Sequence, residues 1–255
     1  MSRPTAAERA LELLSPETRK NADWRHGYLD VLASDPSFTG PTQSLMRSSV
    51  VSRIYERWWR PGLGRMAKGL LGPGMADEHR IARTLLDLAG GDVALDVACG
   101  PGNFSRDFAR AVGDEGLVVG IDASRAMLEQ AVHDTGRTGL ENIVFVHGDA
   151  FALPFPEGTF DAVCCFAALH LFEEPMVALD HMKRVLGRGG RIAIFTTCAS
   201  RSSPFRLLES GAAQWSGMRM FDEHEIVDAL RARGFEDLRQ QTAGVTQFVG
   251  ARLPV

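Results

Sequence analysis

The stretch that decides the fold is Val93-Ala94-Leu95-Asp96-Val97-Ala98-Cys99-Gly100-Pro101-Gly102-Asn103-Phe104-Ser105. Its apolar first half is typical of a strand that is covered on both faces of a parallel sheet. Gly100 and Gly102 lack a Cβ, so the chain can turn sharply and a ligand can contact its backbone. Asn103 is the predicted N-cap of a following helix, whose first N–H groups favour a carboxylate or a phosphate. Taken alone, the pattern also fits an ordinary strand-to-helix connection.

Strands and helices alternate along the chain after this stretch. The apolar runs predict strands over 93–97, 116–121, 143–147, 160–166 and 190–196, helices over 76–89, 104–112, 125–133, 175–186 and 221–233, and a terminal antiparallel hairpin over 236–241 and 245–251. Short strands that alternate with helices predict right-handed crossovers and an α/β fold. We therefore expect an open seven-stranded sheet, mostly parallel, with helices on both faces.

Two further segments flank or interrupt this alternation. Residues 1–75 are predicted to be an N-terminal helical extension or lid, with helices over 6–14 and 48–60, and Gly72-Pro73-Gly74 marks the boundary to a main domain over 76–255. The insertion 199–220 is predicted to cap a substrate cavity. Its apolar residues favour a lipophilic or aromatic substrate.

Composition narrows the class of protein. The chain has 255 residues, is 45% hydrophobic and carries a formal net charge of −4, so it lacks the electrostatic footprint of a non-specific nucleic-acid-binding protein. The sequence has neither a signal-peptide h-region nor an apolar run long enough to span a membrane. Its four cysteines form no CxxC motif and are expected to be reduced core residues. These features predict a cytoplasmic protein without a metal site.

Acidic residues at strand ends point to a nucleotide. Asp122 ends the second predicted strand, and a carboxylate there can accept hydrogen bonds from the vicinal hydroxyls of a ribose. Dinucleotide-binding folds share this feature. Two observations decide between the cofactors: Ser105 stands where a dinucleotide fold has its third glycine, and a further motif, His147-Gly148-Asp149-Ala150, follows the third strand.

At these motifs the chain resembles the class I S-adenosylmethionine-dependent methyltransferases, and within them the ubiquinone/menaquinone-biosynthesis C-methyltransferase-like group. The resemblance covers about residues 76 to 250, with Ala98 at the position where the family most often has its first glycine. It rests on the motifs 96–102, 120–124, 148–155, 160–163 and 184–190. A second resemblance, over 38–40, 44–48 and 55–61, is to the leader of a bacterial and plastid branch of that group. The resemblance implies a Rossmann-like fold, S-adenosylmethionine as cofactor and S-adenosylhomocysteine as product.

The family's roles can be carried over to matching positions. The turn over 98–102 would contact the methionine moiety, Asp96 would receive its ammonium, and the backbone carbonyl near Phe166 would line the same side. Asp122 would hold the ribose, Ala123 would pack on the adenine, and Asp149 and the Ala150 N–H would bind its edge. The implied cofactor-binding residues are Asp96, Ala98, Cys99, Gly100, Gly102, Asp122, Ala123, Met127, Asp149, Ala150, Phe166 and Tyr55, the last as a contact to the cofactor carboxylate, with Arg47 as its alternative.

The reaction expected of this family is an in-line attack on a sulfonium methyl. The leaving group is already charged, so positioning supplies most of the catalysis and a base is needed only when the nucleophile must lose a proton. His170, just past the fourth predicted strand, is the candidate general base; a structural or substrate-contacting histidine is the alternative.

Other functions remain open from the sequence alone. A nucleic-acid or protein methyltransferase is disfavoured by the acidic balance and by Phe166-Ala167-Ala168-Leu169, where many amino-directed nucleic-acid enzymes have Asn/Asp-Pro-Pro-Phe/Tyr. A non-catalytic cofactor-binding regulator and a nicotinamide-dependent dehydrogenase are further alternatives. The expected partner is a small-molecule acceptor rather than a nucleic acid. A lipophilic acceptor would add peripheral membrane contact, and the sequence is compatible with a homodimer.

Overall fold

A computed structural model describes residues 4–32, 74–199 and 219–255. The predicted helix over 48–60, Tyr55, Arg47 and nearly all of the 199–220 insertion lie outside the described residues. In chain order the described elements are α1 (Ala6–Leu13), α2 (Pro16–Asn21), β1 (Asp23–Arg25), β2 (Tyr28–Asp30), α3 (Met75–Leu86), β3 (Val93–Val97), α4 (Asn103–Val112), β4 (Leu117–Asp122), α5 (Arg125–Thr135), β5 (Ile143–His147), β6 (Phe160–Phe166), α6 (Pro175–Val185), β7 (Leu186–Thr197), α7 (Glu225–Ala232), β8 (Glu236–Ala243) and β9 (Thr246–Arg252). A short 3₁₀ turn, Leu169–Leu171, follows β6.

The described strands form one sheet in the order β1-β2-β5-β4-β3-β6-β7-β9-β8. The pairings from β2 through to β7 are parallel, and β7, β9 and β8 pair antiparallel as the predicted terminal hairpin. The α/β class, the mostly parallel sheet and the terminal hairpin are therefore confirmed.

The number of strands differs from the seven expected, because the described part of the chain has nine. The additional two are β1 and β2, which form a hairpin in the N-terminal segment, and β2 extends the parallel sheet beyond β5. Each of these strands has only three residues. That length is too short to show the alternation by which a strand is recognised in a sequence.

Helices cover both faces of the sheet because its central strands are apolar on both sides. On one face, α1, α6 and α7 pack over Leu95, Val97, Val163 and Ile192. On the other, α3 and α4 pack over Ala94, Val118 and Ala162, and α5 packs beside them. Alternate residues of β3 thus enter different cores, which is the pattern that a doubly covered parallel strand requires.

The N-terminal segment packs against the sheet. Ala10 and Leu14 near α1 and Leu29 of β2 belong to the same buried cluster as the central strands. Arg9 donates hydrogen bonds to the carbonyls of Glu115 and Gly116, at the turn before β4. Because residues 33–73 are outside the described part, the proposed domain boundary near residue 75 stays a prediction.

The order of the strands places a crevice at one edge of the sheet. The chain proceeds from β3 outward to β4 and β5, then crosses back to β6 on the other side of β3. In open α/β sheets ligands bind beyond the carboxyl ends of the strands at such a reversal. The residues that follow β3, β4, β5 and β6 are therefore the ones that can meet a ligand.

Candidate active site

The turn after β3 lies at this crevice and has an unusual backbone. Ala98, Gly100 and Gly102 all have left-handed φ angles, of 55°, 55° and 73°. The turn is closed by a hydrogen bond from Gly102 N–H to the Cys99 carbonyl at 3.1 Å and tied to β4 by one from Cys99 N–H to the Ile121 carbonyl at 3.1 Å. Cys99 itself is buried, so its backbone rather than its thiol is available at the turn.

The two glycines of this turn serve different purposes. A Cβ on Gly102 would lie 2.8 Å from the Phe145 ring, so this position needs glycine for packing as well as for its φ. A Cβ on Gly100 would have no atom of the described residues within 4 Å. As far as the described part of the chain extends, a ligand can therefore approach the Gly100 backbone closely.

The helix after the turn begins one residue earlier than predicted. Gly102, not Asn103, is the N-cap of α4, and the Asn103 side chain instead accepts a hydrogen bond from Arg106 at 2.6 Å. The N-cap prediction was wrong because the left-handed glycine, which the turn requires, already closes the first helical hydrogen bond. Among the described residues no side chain caps this helix start, so it suits an anionic ligand group.

Asp96 is the most deeply buried acid of the site. It is 2% exposed, and its two oxygens accept from the Ser105 hydroxyl at 2.6 Å and from the Cys164 thiol at 3.4 Å. The negative charge raises the pKa of the Cys164 thiol further than burial alone does. Asp96 thus fixes Ser105 in the first turn of α4 and places a negative charge under the turn.

Asp122 connects two turns of the site. One oxygen accepts from Gly100 N–H and the other from Ser124 N–H, both at 2.8 Å. Burial raises the pKa of Asp122, and the two backbone N–H groups oppose that shift. A carboxylate has about four lone-pair positions, so it can still accept from the two hydroxyls of a ribose.

Asp149 and Ala150 follow β5 on the same edge of the sheet, and both are half-buried. One oxygen of Asp149 accepts from Phe151 N–H at 2.9 Å. Within the described residues its other oxygen has no hydrogen-bond partner, which leaves it available to an exocyclic amine. Between Asp122 and Asp149 in the sequence, Ala123 lies in the turn after β4 and Met127 in the first turn of α5. Met127 is 8% exposed.

Phe166 ends β6 on the opposite side of the crevice. Its ring packs against Phe104 at 4.7 Å and Phe108 at 6.0 Å between centroids. The next residue, Ala167, has a left-handed φ of 57°. Phe151 and Phe172 form a second aromatic pair, 5.4 Å apart, at the outer part of the same edge.

His170 lies in the 3₁₀ turn after β6. Burial lowers the pKa of His170 to about 4, so the ring is neutral near pH 7. Its Nδ1 is 3.4 Å from the Thr196 hydroxyl, and its carbonyl accepts from Arg219 N–H at 2.9 Å, where the chain returns from the 199–220 insertion. His170 therefore lies after β6, the strand next to β3, and contacts the backbone of Arg219.

One residue of the site was missed by sequence reasoning. His147 was quoted only as part of a motif, yet its ring is fully buried between Asp30 and the carbonyl of Ala123. A histidine directly before Gly148-Asp149 was the available signal, but its partner is 117 positions away in the sequence.

These residues fit the cofactor that the sequence resemblance implies. The accessible backbone at Gly100 and the start of α4 suit a carboxylate, Asp96 suits an ammonium, Asp122 a ribose and Asp149 an exocyclic amine. Among the described residues, no cluster of His, Cys, Asp or Glu could hold a metal ion. In the same part of the chain, no helix combines the length and apolar composition needed to cross a bilayer.

Comparisons with known proteins concern the family of the chain. A family model described as "Methyltransferase domain" matches residues 94–190. An uncharacterized chloroplastic methyltransferase of Arabidopsis thaliana is 37% identical over 204 residues, covering 77% of this chain and 56% of the relative. A demethylmenaquinone methyltransferase of Staphylococcus aureus is 38% identical over 125 residues, covering 48% of this chain and 51% of that protein. The chain thus spans little more than half the length of these relatives.

The fold also matches solved structures. A phosphoethanolamine N-methyltransferase of Haemonchus contortus, solved with S-adenosyl-L-methionine, superposes with a TM-score of 0.67 over 86% of this chain and 61% of that one. Its sequence identity is 16%, so this likeness concerns the fold.

Proposed function

The chain belongs to the class I S-adenosylmethionine-dependent methyltransferases, and on that premise we propose that it methylates a small, lipophilic or aromatic acceptor at carbon or oxygen. The observation that carries the proposal is the arrangement at the strand reversal. There the Gly100 N–H donates a hydrogen bond to Asp122, Asp96 lies near the carboxyl end of β3 on one side, and Asp149 follows β5 on the other.

When bound, S-adenosylmethionine supplies an electrophilic methyl on a positively charged sulfur. In this proposal Asp122 holds the ribose, Asp149 and the Ala150 N–H hold the adenine edge, and the uncapped start of α4 receives the carboxylate. The acceptor enters on the Phe166 side. The protein's contribution is orientation, because an in-line transfer from a charged leaving group needs alignment more than it needs proton transfer.

Aromatic residues around the crevice support an apolar acceptor. Phe166, Phe151 and Phe172 are at or near the carboxyl ends of β5 and β6, and the last two are only partly buried. Half-buried aromatic rings on a site edge favour a planar apolar ligand. The Staphylococcus aureus relative is named a demethylmenaquinone methyltransferase, which supports a quinol-like ring as the class of acceptor.

His170 contributes little as a base in this proposal. A base with a pKa of about 4 has little driving force to remove a proton from a phenol near neutral pH. We propose that it contacts the acceptor or supports the insertion, and that the acceptor reaches the site already acidic enough to ionise.

The experiment that tests the function is calorimetry followed by product labelling. Purified protein is titrated with S-adenosylmethionine, S-adenosylhomocysteine and NAD, and is then incubated with a methyl-labelled cofactor and separate lipid, quinone, RNA and protein fractions. We expect binding of the first two ligands and label in the lipid or quinone fraction. Binding of NAD alone would point to a dehydrogenase. Label in the RNA or protein fraction would show that the acceptor is a macromolecule and overturn the small-molecule proposal. Binding of the cofactor without label in any fraction would favour a non-catalytic role.

A matched pair of variants tests the ribose contact. Asp122→Ala removes hydrogen bonds to the cofactor as well as those to Gly100 and Ser124, so we expect its dissociation constant to rise about tenfold or more. Asp161→Ala is the control, because Asp161 lies at the start of β6 at the opposite edge of the sheet and accepts from Val93 N–H. An unchanged dissociation constant in Asp122→Ala would refute the ribose assignment.

A further inference from the structure

Three polar side chains lie side by side where β2, β5 and β4 end. Asp30 of β2 is paired in register with His147 of β5, and His147 is paired with Asp122 of β4. Asp122 is the proposed ribose-binding acid. The N-terminal hairpin therefore extends to within one strand of the site.

His147 bridges this hairpin to the turn after β4. Its ring has no exposed surface; Nδ1 is 2.9 Å from Asp30 Oδ1, and Nε2 is 3.2 Å from the Ala123 carbonyl oxygen. An oxygen atom therefore faces each ring nitrogen. Asp30 is 7% exposed and its other oxygen is 3.3 Å from Arg125, in the first turn of α5.

One peptide group is held from both ends by these contacts. The carbonyl of the Ala123–Ser124 peptide faces His147 Nε2, and the N–H of the same peptide donates to Asp122 Oδ1. A rotation of this peptide would break both hydrogen bonds and leave the carboxylate of Asp122 held only by the Gly100 N–H. The orientation of Asp122 toward a ribose is therefore linked to the position of His147, and through it to Asp30.

We propose that Asp30 and His147 form a positioning pair that orients the Ala123–Ser124 peptide, and with it Asp122, for the ribose and adenine of the cofactor. This rests on the proposed function, since it assigns the pair to the same nucleotide site. The pair touches no reacting atom. Through this pair the hairpin of β1 and β2 contributes to the cofactor site. That hairpin lies outside the residues 94–190 that match the methyltransferase domain.

Burial makes the hydrogen bond between Asp30 and His147 important for stability. A buried carboxylate and a buried imidazole are each costly unless they are hydrogen-bonded, and removing one partner leaves the other uncompensated. Leu32 N–H adds a further donor to Asp30 Oδ1 at 3.2 Å. Together with Arg125, these donors fix the carboxylate against which the ring is oriented.

The test measures cofactor binding in the full chain. Asp30→Asn and His147→Asn are compared with the wild type for S-adenosylhomocysteine and for 5′-methylthioadenosine, which lacks the amino-acid part. We expect each variant to weaken binding of both ligands by the same factor, about tenfold. The double variant should be no weaker than either single one, because both act through one contact.

Asp92→Asn is the matched control. Asp92 is also a poorly exposed acid in an ion pair, with Arg191, but it lies at the amino end of β3, at the opposite edge of the sheet. We expect it to lower the melting temperature without changing either dissociation constant. Arg125→Gln, which alters a side chain that is 43% exposed, provides a milder variant should the buried ones fail to fold. Arg125→Gln should raise the dissociation constants of both ligands by a smaller factor.

The outcomes separate the two proposals. A wild-type protein that binds neither ligand overturns the proposed function and this inference with it. A wild type that binds, with variants that lose melting temperature but keep both dissociation constants, shows that the pair is only structural. A spectroscopic readout is independent of stability: the ¹H–¹⁵N signal of His147 Nε2–H should shift when S-adenosylhomocysteine binds the wild type, and an unmoved signal would contradict the link.

Discussion

Ala98 has a left-handed φ of 55° at the start of the turn that faces the proposed cofactor. For a residue with a Cβ this conformation costs about 1 kcal/mol relative to glycine. Glycine, which the resemblance gives for most of the family at this position, would adopt the same angle without that cost. The hydrogen bonds of Cys99 and Gly102 hold the turn in this conformation.

Ala98→Gly should therefore relieve strain. We expect the folded turn to gain about 1 kcal/mol, part of which is offset because glycine gives the unfolded chain more freedom, so the net change should be a small rise in stability. Chemical denaturation measures it. Gly113→Ala, at a φ of 64° before β4 and away from the crevice, is the opposite control and should lower stability. A clear loss of stability in Ala98→Gly would show that the turn is not strained.

Strain of this kind is found on both sides of the crevice. Ala167, which follows Phe166, also has a left-handed φ, of 57°. Non-glycine residues in this region are uncommon and often lie at ligand sites, where the surrounding structure holds them. Because φ is set by tertiary contacts, the sequence indicated the turn after β3 through its glycines but gave no sign of the second position.

Among the strands, the predicted bounds agree with the structure where the strand is long enough to form an apolar run. The strands β3, β5 and β6 have the bounds predicted for them, because each is a run of five to seven mostly apolar residues between turns. The hairpin of β1 and β2 was missed because Trp24 and Leu29 stand among polar neighbours in three-residue strands. β7 begins at Leu186 rather than at residue 190. The glycines at 187, 189 and 190 predicted a turn, but in the sheet Leu186 already pairs with Phe160 of β6.

Leu29→Ala tests whether the N-terminal hairpin belongs to the main cooperative unit. Leu29 is 1% exposed in the same buried cluster as the central strands, so its truncation should lower the free energy of unfolding by about 2 to 5 kcal/mol. Urea denaturation followed by circular dichroism measures this. Trp24→Ala, at a side chain that is 48% exposed, is the control and should change it by less than about 0.5 kcal/mol. A separate early transition, with the main one unchanged, would show that the hairpin unfolds alone.

For the whole molecule, the position of the site follows from topology, whereas the detail within it does not. Alternating strands and helices predict a strand reversal, and a reversal predicts a crevice at the carboxyl edge. The sequence therefore predicted that the acids near the strand ends lie at this edge, and their roles toward a cofactor stay predictions. The bridge from Asp30 through His147 to Ala123 could not, because it joins residues that only the folded sheet brings together.

The pH dependence of global stability follows from His170. Burial lowers its pKa in the folded protein to about 4, whereas an unfolded histidine titrates near 6.5. Between these values the unfolded chain binds a proton that the folded protein does not, so the free energy of unfolding must fall as the pH falls through this window. The contribution is complete above about pH 6.5. It is largely lost by about pH 4.

His170→Gln should make the protein less sensitive to mild acid. We expect the wild type to lose about 1 kcal/mol more than the variant between about pH 7 and about pH 5, a modest figure because the ring is partly exposed. Urea denaturation of both proteins at the two pH values gives the difference directly, and the other titrating groups cancel in the comparison. Cofactor affinity near pH 7 should be the same in both, since His170 lies one strand away from the acids. An equal loss of stability in the two proteins would mean that the ring titrates alike in the folded and unfolded states, and burial would then not be what keeps His170 neutral in mild acid.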